Sequence, residues 1–315
     1  MAAAVTVAVV GSPGLAAELG KGGPPSDLTL YHAVRDGHAE TIVAPTQFPE
    51  KFPPLVAALG MADRILLVVG ELNRAVAETI ATVELVDVPT EVVLGPAVGD
   101  GEIARLLKGG RLEAAPRRPL DPVALRADLA GWNAPERPGA PLAVIDHAFP
   151  VKGVGTVALG IVKQGTLRAH ERHRLWPGPK EVEVRSIQVH DVDRREAACG
   201  ERVGLALKGV EPDEVPRGSV VGPPDALRAA ARLSVERLEK GRYYRGDLTE
   251  GAHLHLAVGL QIVPVVLARV DAGGTTLETD RPVAFAPGAP ALLLDLSAPV
   301  GPRIAGRLRV ADVSG

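Results

Sequence analysis

Cysteine is almost absent from this 315-residue chain, which has only Cys199. A single cysteine excludes an internal disulfide framework. No apolar run approaches the roughly 20 residues of a membrane span. The apolar N-terminus has no charged region before it and leads straight into a glycine turn, which is typical of a first buried strand and not of a signal peptide. We therefore expect a cytoplasmic protein with no membrane contact.

Aromatic residues and an excess of positive charge are also lacking. Aromatics make up 3% of the chain, so stacking platforms for single-stranded bases are scarce. The formal net charge is −3, so no global basic field indicates a nucleic-acid partner, and any RNA site must be local. Glycine and proline are abundant instead, at 35 and 28 residues, which predicts many turns between short strands.

The first 115 or so residues alternate short aliphatic runs with helical segments. Four buried parallel strands are predicted, at residues 5–10, 41–44, 65–69 and 91–94. Asn73 is a predicted N-cap for a helix over 75–86, and Asp100 for a helix over 102–107. This pattern predicts an open α/β domain.

The rest of the chain has two further sequence patterns. Residues 117–140 are rich in proline and charge, with Asp121 and Pro122 starting one more short helix, and we interpret them as a linker. From residue 141 onward, alternating strands between glycine and proline turns predict two antiparallel β-barrels. The expected domains are 1–138, 139–224 and 225–315.

Three landmarks appear in order in the first predicted barrel: Gly153-Val154-Gly155-Thr156, Gly200-Glu201-Arg202-Val203-Gly204 and Arg217-Gly218. On these residues the chain resembles the elongation factor Tu family of translational GTPases, and within it the selenocysteine-specific elongation factors, SelB. The second barrel matches more weakly, at residues 248–256 and 303–309. A generic barrel domain used for other work is the alternative. The resemblance implies a degenerate P-loop GTPase-like open α/β sheet followed by two antiparallel β-barrels.

The residues by which this family holds GTP are missing from the first domain. A P-loop needs Gly-Lys followed by Ser or Thr, whereas Gly20-Lys21 is followed by Gly22. The family's Asp-x-x-Gly segment aligns with residues 44–48, and its guanine-reading segment with 95–98, and neither contains a carboxylate. We therefore predict that the GTP and magnesium sites are lost, with no cofactor, no metal ligand and no catalytic residue. A residual anion site at the turn with Gly11 and Gly14 is left open.

The resemblance to SelB also implies an aminoacyl or anion pocket in the first barrel, formed by Asp146, His147 and Arg202. A selenol is ionised at neutral pH, so a partly dehydrated Arg202 and a protonatable His147 would favour the anion, with Asp146 orienting the arginine. The alternative is an Asp–Arg pair that clips two adjacent barrel strands, with His147 at the rim. The residues alone leave both interpretations open.

Basic side chains with aromatic neighbours follow in the second barrel and suit an RNA backbone. These RNA-contact candidates are Arg237, Lys240, Arg242, Tyr243 and Arg245. The resemblance then implies a monomeric, elongation factor-like protein that binds aminoacyl-tRNA, or the ribosome or another translation factor, without hydrolysing GTP. Two alternatives are a regulatory or scaffolding protein that docks on a translation GTPase or ribosome, and an elongation factor with residual GTP binding.

Overall fold

The computed structural model describes residues 4–12, 14–35, 37–271 and 274–312. A mixed α/β domain comes first and is followed by two closed β-barrels. The predicted fold class is therefore confirmed. No helix within these residues is long and apolar enough to span a membrane.

The α/β domain is one seven-stranded sheet in the order β2-β3-β4-β1-β5-β6-β7. Strands β2, β3 and β4 pair antiparallel and the others pair parallel. The strands are β1 Ala4–Val10, β2 Lys21–Gly22, β3 Thr29–Arg35, β4 His38–Ala44, β5 Arg64–Val69, β6 Thr90–Leu94 and β7 Arg117–Pro119. The helices are α1 Gly14–Leu19, α2 Pro53–Met61, α3 Arg74–Val83, α4 Asp100–Leu107 and α5 Pro122–Leu129, with a 3-10 turn at Arg111–Ala114.

Two of the three predicted helix caps are confirmed. The Asn73 side chain accepts a hydrogen bond from the Val76 amide at 2.9 Å and caps α3. Asp121 likewise caps α5. Asp100 was the wrong choice for α4, because it is the first helical residue and the cap is Gly99. Its carboxylate accepts from Arg117 Nε at 2.8 Å and is held by that ion pair instead.

Most of the predicted linker belongs to the α/β domain. Residues 117–119 form strand β7, and the Leu125 and Leu129 side chains of α5 are fully buried. The helix was predicted from Asp121 and Pro122, but the proline and charge of the segment masked β7, whose Arg118 forms ion pairs with Glu91 and Asp128. Only residues 130–141 connect the sheet to the first barrel.

The first barrel closes through six strands in the ring order β11-β16-β8-β9-β15-β12, with β12 returning to β11. Its strands are β8 Leu142–Val151, β9 Gly155–Gln164, β10 Thr166–Arg168, β11 Arg172–Trp176, β12 Glu181–Val189, β13 Val192–Arg194, β14 Glu196–Ala198, β15 Arg202–Lys208 and β16 Val220–Gly222. The second barrel closes in the order β17-β20-β19-β18-β21-β22. It consists of β17 Arg228–Lys240, β18 His253–Val258, β19 Gln261–Asp271, β20 Gly274–Phe285, β21 Ala289–Leu294 and β22 Ile304–Asp312.

Each barrel has a hydrophobic core of its own, and one further cluster of buried residues extends across all three domains. Residues of α2 and α3 pack in one cluster with Ile161 of the first barrel and with Leu260, Leu292 and Ile304 of the second. Burying apolar area in this way is the main favourable contribution to folding. Each barrel therefore buries part of its outer surface against the α/β domain.

A buried carboxylate lies where the α/β domain meets the first barrel. Asp63 directly precedes β5, and its side chain is fully buried. Its Oδ2 accepts from the Thr6 amide at 3.1 Å, and its Oδ1 accepts from Arg137 and from Lys163 Nζ, each at 3.1 Å. Lys163 Nζ also donates to the Met61 carbonyl at 3.0 Å. Burial lowers the pKa of Lys163, and the negative charge of Asp63 opposes that shift.

We predict that Asp63→Asn destabilises the whole chain. The substitution keeps the side-chain shape but leaves the Lys163 ammonium without its counter-charge, and breaking a buried pair in this way costs about 3–5 kcal/mol. Urea unfolding of the full chain measures the change. The matched control is Asp100→Asn, whose partner Arg117 lies in an exposed pair, and we expect it to leave the unfolding midpoint nearly unchanged. Equal midpoints for both variants would contradict the prediction.

Candidate functional site

Asp146 and Arg202 form a two-armed ion pair on the first barrel. Arg202 NH2 donates to Asp146 Oδ2 at 3.0 Å, and its NH1 donates to Oδ1. The side chains are only 10% and 7% exposed, so the pair is largely withdrawn from water. Guanidinium and carboxylate meet here in the geometry that gives the strongest charge-assisted hydrogen bonds.

The pair does not join neighbouring strands, which corrects one interpretation of the sequence. Arg202 lies on β15 opposite Ile161 of β9, and β9 separates β15 from β8. The register of β8 shifts between Ile145 and His147, so Asp146 is an extra residue with no partner on β9. Bulges of this kind re-aim side chains and are common beside functional sites. A strand clip would therefore have to tie three strands, not two.

His147 lies apart from this pair. Its side chain is exposed, and its ring centroid is 5.6 Å from that of Phe149. No hydrogen bond or ion pair of the described residues links His147 to Asp146 or Arg202. The structure thus brings together two of the three predicted pocket residues and places the third at the exposed side.

The α/β domain contributes one charged residue, Asp27, that the sequence did not reveal, and Arg217 of the first barrel binds it. Arg217 Nε donates to the Asp146 carbonyl at 3.3 Å, while its NH1 and NH2 hold Asp27 at 2.6 and 2.8 Å. The Arg217 hydrogen bond lowers the pKa of Asp27, and Asp27 in turn raises that of Arg217. Arg217 had served only as a barrel landmark, and Asp27 precedes a strand that was not predicted.

Two histidines from different domains meet beside the ion pair. His32 of β3 and His190, in the turn between β12 and β13, have ring centroids 6.0 Å apart. Burial, followed by the nearby positive charges of Arg202 and His190, lowers the pKa of His32 to about 4. The segment 29–35 contains Thr29, Tyr31 and Val34, residue types enriched in strands, and this signal could have located His32.

The turn after β1, where a P-loop would lie, is short. β1 ends at Val10 and α1 begins at Gly14, and α1 itself has six residues. Gly11 has φ +93°, and a Cβ there would lie 2.2 Å from the Val68 carbonyl oxygen, so this glycine is required by its approach to β5. Within the described ranges no group of three potential ligands could hold a metal ion. Anion binding at Gly11 and Gly14 stays a prediction.

The RNA-contact candidates lie along and just beyond β17. Arg237 and Lys240 have acidic neighbours, Glu239 and Asp247, at 2.5 and 3.6 Å. The Arg242 guanidinium stacks 5.3 Å from the ring centroid of Tyr243, which is 38% exposed, and its NH1 donates to the Lys108 carbonyl at 2.7 Å. Arg245 packs near Gly301. The four basic residues of this set are exposed, and Tyr243 adds an exposed aromatic ring beside Arg242. Their role in RNA contact stays a prediction.

Comparison with known proteins identifies the class. A family model of elongation factor Tu domain 2 matches residues 155–222, which lie in the first barrel. Two solved structures share the whole fold. SelB of Methanococcus maripaludis with the GTP analogue GppNHp has a TM-score of 0.81 at 20% identity, covering 99% of this chain and 80% of that one. A bacterial selenocysteine-specific elongation factor, EF-Sec, has a TM-score of 0.82 at 18% identity, covering 98% and 58%.

Relatives found by sequence share more identity with this chain than the solved structures do. The uncharacterized protein MJ0325 of Methanocaldococcus jannaschii is 32% identical over 290 residues, which are 91% of this chain and 93% of that protein. The selenocysteine-specific elongation factor of the same organism is 34% identical over 123 residues, 39% of this chain but 26% of its own length. This chain therefore belongs to one family with MJ0325, and its fold is that of the elongation factor Tu-like translational GTPases.

We predict that the stability of the protein falls below about pH 6.5 in part through His32. The pKa of His32 is about 4 in the folded protein and near 6.5 when unfolded, so the unfolded chain binds the extra proton between these values. Stability is therefore complete above pH 6.5 and declines toward pH 4. His32→Gln should reduce the loss between pH 7 and pH 5 by about 1 kcal/mol, after allowance for partial exposure.

Urea unfolding at the two pH values measures this effect, with His253→Gln as the control because His253 is exposed on the second barrel. An identical pH dependence in the wild type and in His32→Gln would contradict the assigned pKa.

Proposed function

We propose that this protein binds the acceptor end of an aminoacyl-tRNA in the cytoplasm and does so without hydrolysing GTP. The observation that carries the proposal is the Asp146–Arg202 pair on a barrel that matches domain 2 of elongation factor Tu. Selenocysteine-specific elongation factors are among the proteins that this chain resembles in sequence and in fold. Because of this similarity, we expect the partner to be a component of translation, either a tRNA or the ribosome.

The chemistry of the pair suits an anionic side chain. A guanidinium has five N–H donors, and Asp146 uses two of those of Arg202, so three remain for a ligand. In a site withdrawn from water, a hydrogen-bonded anion is held more strongly than at the surface. A neutral seryl group offers no such charge. The pair is thus suited to discriminate an ionised aminoacyl group from its neutral analogue.

The proposed independence from GTP is supported by the turn after β1. Three residues separate β1 from α1, and Gly11 within them packs on the β5 backbone. A P-loop needs a longer glycine-rich loop, a lysine for the outer phosphates and a hydroxyl for magnesium. The segment at 95–98 has no carboxylate to accept from guanine, and Gly95 lies against Gly70.

We predict no measurable binding of GTP or GDP, because the phosphate, magnesium and base contacts are missing together. Isothermal titration with magnesium and each nucleotide is the measurement. SelB of Methanococcus maripaludis, which was crystallised with GppNHp, is the positive control. Micromolar affinity in the present protein would contradict the prediction and favour an elongation factor with residual GTP binding.

We predict that Arg202→Ala selectively weakens binding of an aminoacyl-tRNA with an anionic side chain, and leaves affinity for the deacylated tRNA nearly unchanged. Loss of a desolvated charge partner should cost about 2–5 kcal/mol in binding. His147→Ala should have a smaller effect, since the His147 side chain is exposed and lies apart from the Asp146–Arg202 pair.

Filter binding with charged and uncharged tRNA measures both variants, and Arg232→Ala is the matched control on the second barrel because its pairing with Glu278 is loose and exposed. If the folded Arg202→Ala protein instead binds both tRNA forms with equally reduced affinity, the pair only ties β8, β9 and β15 together.

A further inference from the structure

A cavity of about 340 Å³ lies where the three domains meet. Its apolar walls come from α2, from the segment after α3 and from the second barrel, through Val56, Leu59, Leu85, Val86, Ala257 and Leu292. The volume falls within the range of small-molecule sites, which occur preferentially at domain interfaces. None of the residues in the Asp146–Arg202 pair lines it.

Two groups of charged side chains also line this junction cavity. Lys163 and Arg137 reach it from the first barrel and its connection, and both bind the single buried carboxylate of Asp63. This first group therefore carries one positive charge more than its carboxylate neutralises.

The second group belongs mainly to the second barrel. Arg307 is shared between Glu239, at 2.7 Å from its Nε, and Asp87, at 3.0 Å from its NH1. Arg237 pairs with the same Glu239, and Arg309 lies 3.7 Å from the same Asp87. Three guanidinium groups thus face two carboxylates, so this group too has one positive charge in excess.

We propose that the junction cavity binds a small amphipathic anion, an apolar body that carries a carboxylate, sulfonate or phosphate group. The apolar walls would cover the body, and an excess cation would meet the charged group. The arginine-rich group is the more suitable end for the anion, because Arg237 and Arg309 are 72% and 50% exposed and can turn toward a ligand. This binding does not use the Asp146–Arg202 pair, so it does not depend on recognition of the aminoacyl group.

The test is fluorescence titration of the full-length protein with 8-anilinonaphthalene-1-sulfonate, an apolar ring system with one sulfonate. Val86→Trp places a bulky ring in the cavity and should abolish saturable binding. Arg309→Ala removes the excess charge and should raise the Kd about threefold to fivefold. Octanoate should displace the probe, whereas 1-octanol at the same concentration should displace it much less.

Two matched controls separate the cavity from general surface binding. Val123→Trp adds the same ring at an exposed position of α5, and Arg117→Ala removes an arginine paired with Asp100, both remote from the cavity. Neither should change the Kd. If Val86→Trp binds the probe as the wild type does, or if the controls weaken binding equally, the proposal is wrong. Should Val86→Trp fail to fold, an unchanged Kd in Arg309→Ala overturns it equally.

Discussion

One buried carboxylate, Asp63, joins the α/β domain to the first barrel. Asp63 accepts hydrogen bonds from the first strand, from the interdomain connection and from Lys163 of the first barrel. Lys163 is mostly buried, so it is tolerated only while its charge is balanced. Both ions lie beside the hydrophobic core that the three domains share, and any relative motion of the α/β domain and first barrel would have to break this pair.

Two further ion pairs join the α/β domain to the barrels. Arg303, at the entry to β22, donates to both oxygens of the mostly buried Glu78 on α3, at 3.0 and 2.7 Å, and its guanidinium lies 5.0 Å from the Phe52 ring centroid. Arg217 holds Asp27 across the other interface. We propose that these ion pairs hold the barrels in place with no nucleotide. The Asp146–Arg202 pair and the junction cavity would then be permanent features.

Local signals in the sequence predicted the fold well. Asn73 and Asp121 marked helix starts because a short polar side chain can cap the exposed amides of the next turn. The candidate site was harder, because its geometry arises from contacts distant in sequence. Asp146 and Arg202 are 56 residues apart and meet across β9, and Lys163 finds Asp63 at a separation of 100 residues. No local pattern specifies such pairings: Asp146 and Arg202 were predicted together only through the resemblance to SelB, and Lys163 and Asp63 were not predicted at all. The contribution of His32 and Asp27 required the sheet order to be known.

The central claim is that tRNA binds in the absence of GTP. The most direct measurement is to isolate the full-length protein from its own cells, without added nucleotide, and to sequence the RNA that copurifies. The account predicts tRNA enriched well above its share of total RNA, with retention unchanged when GTP and magnesium are added. Absence of tRNA enrichment, or enrichment that appears only with GTP, would contradict it.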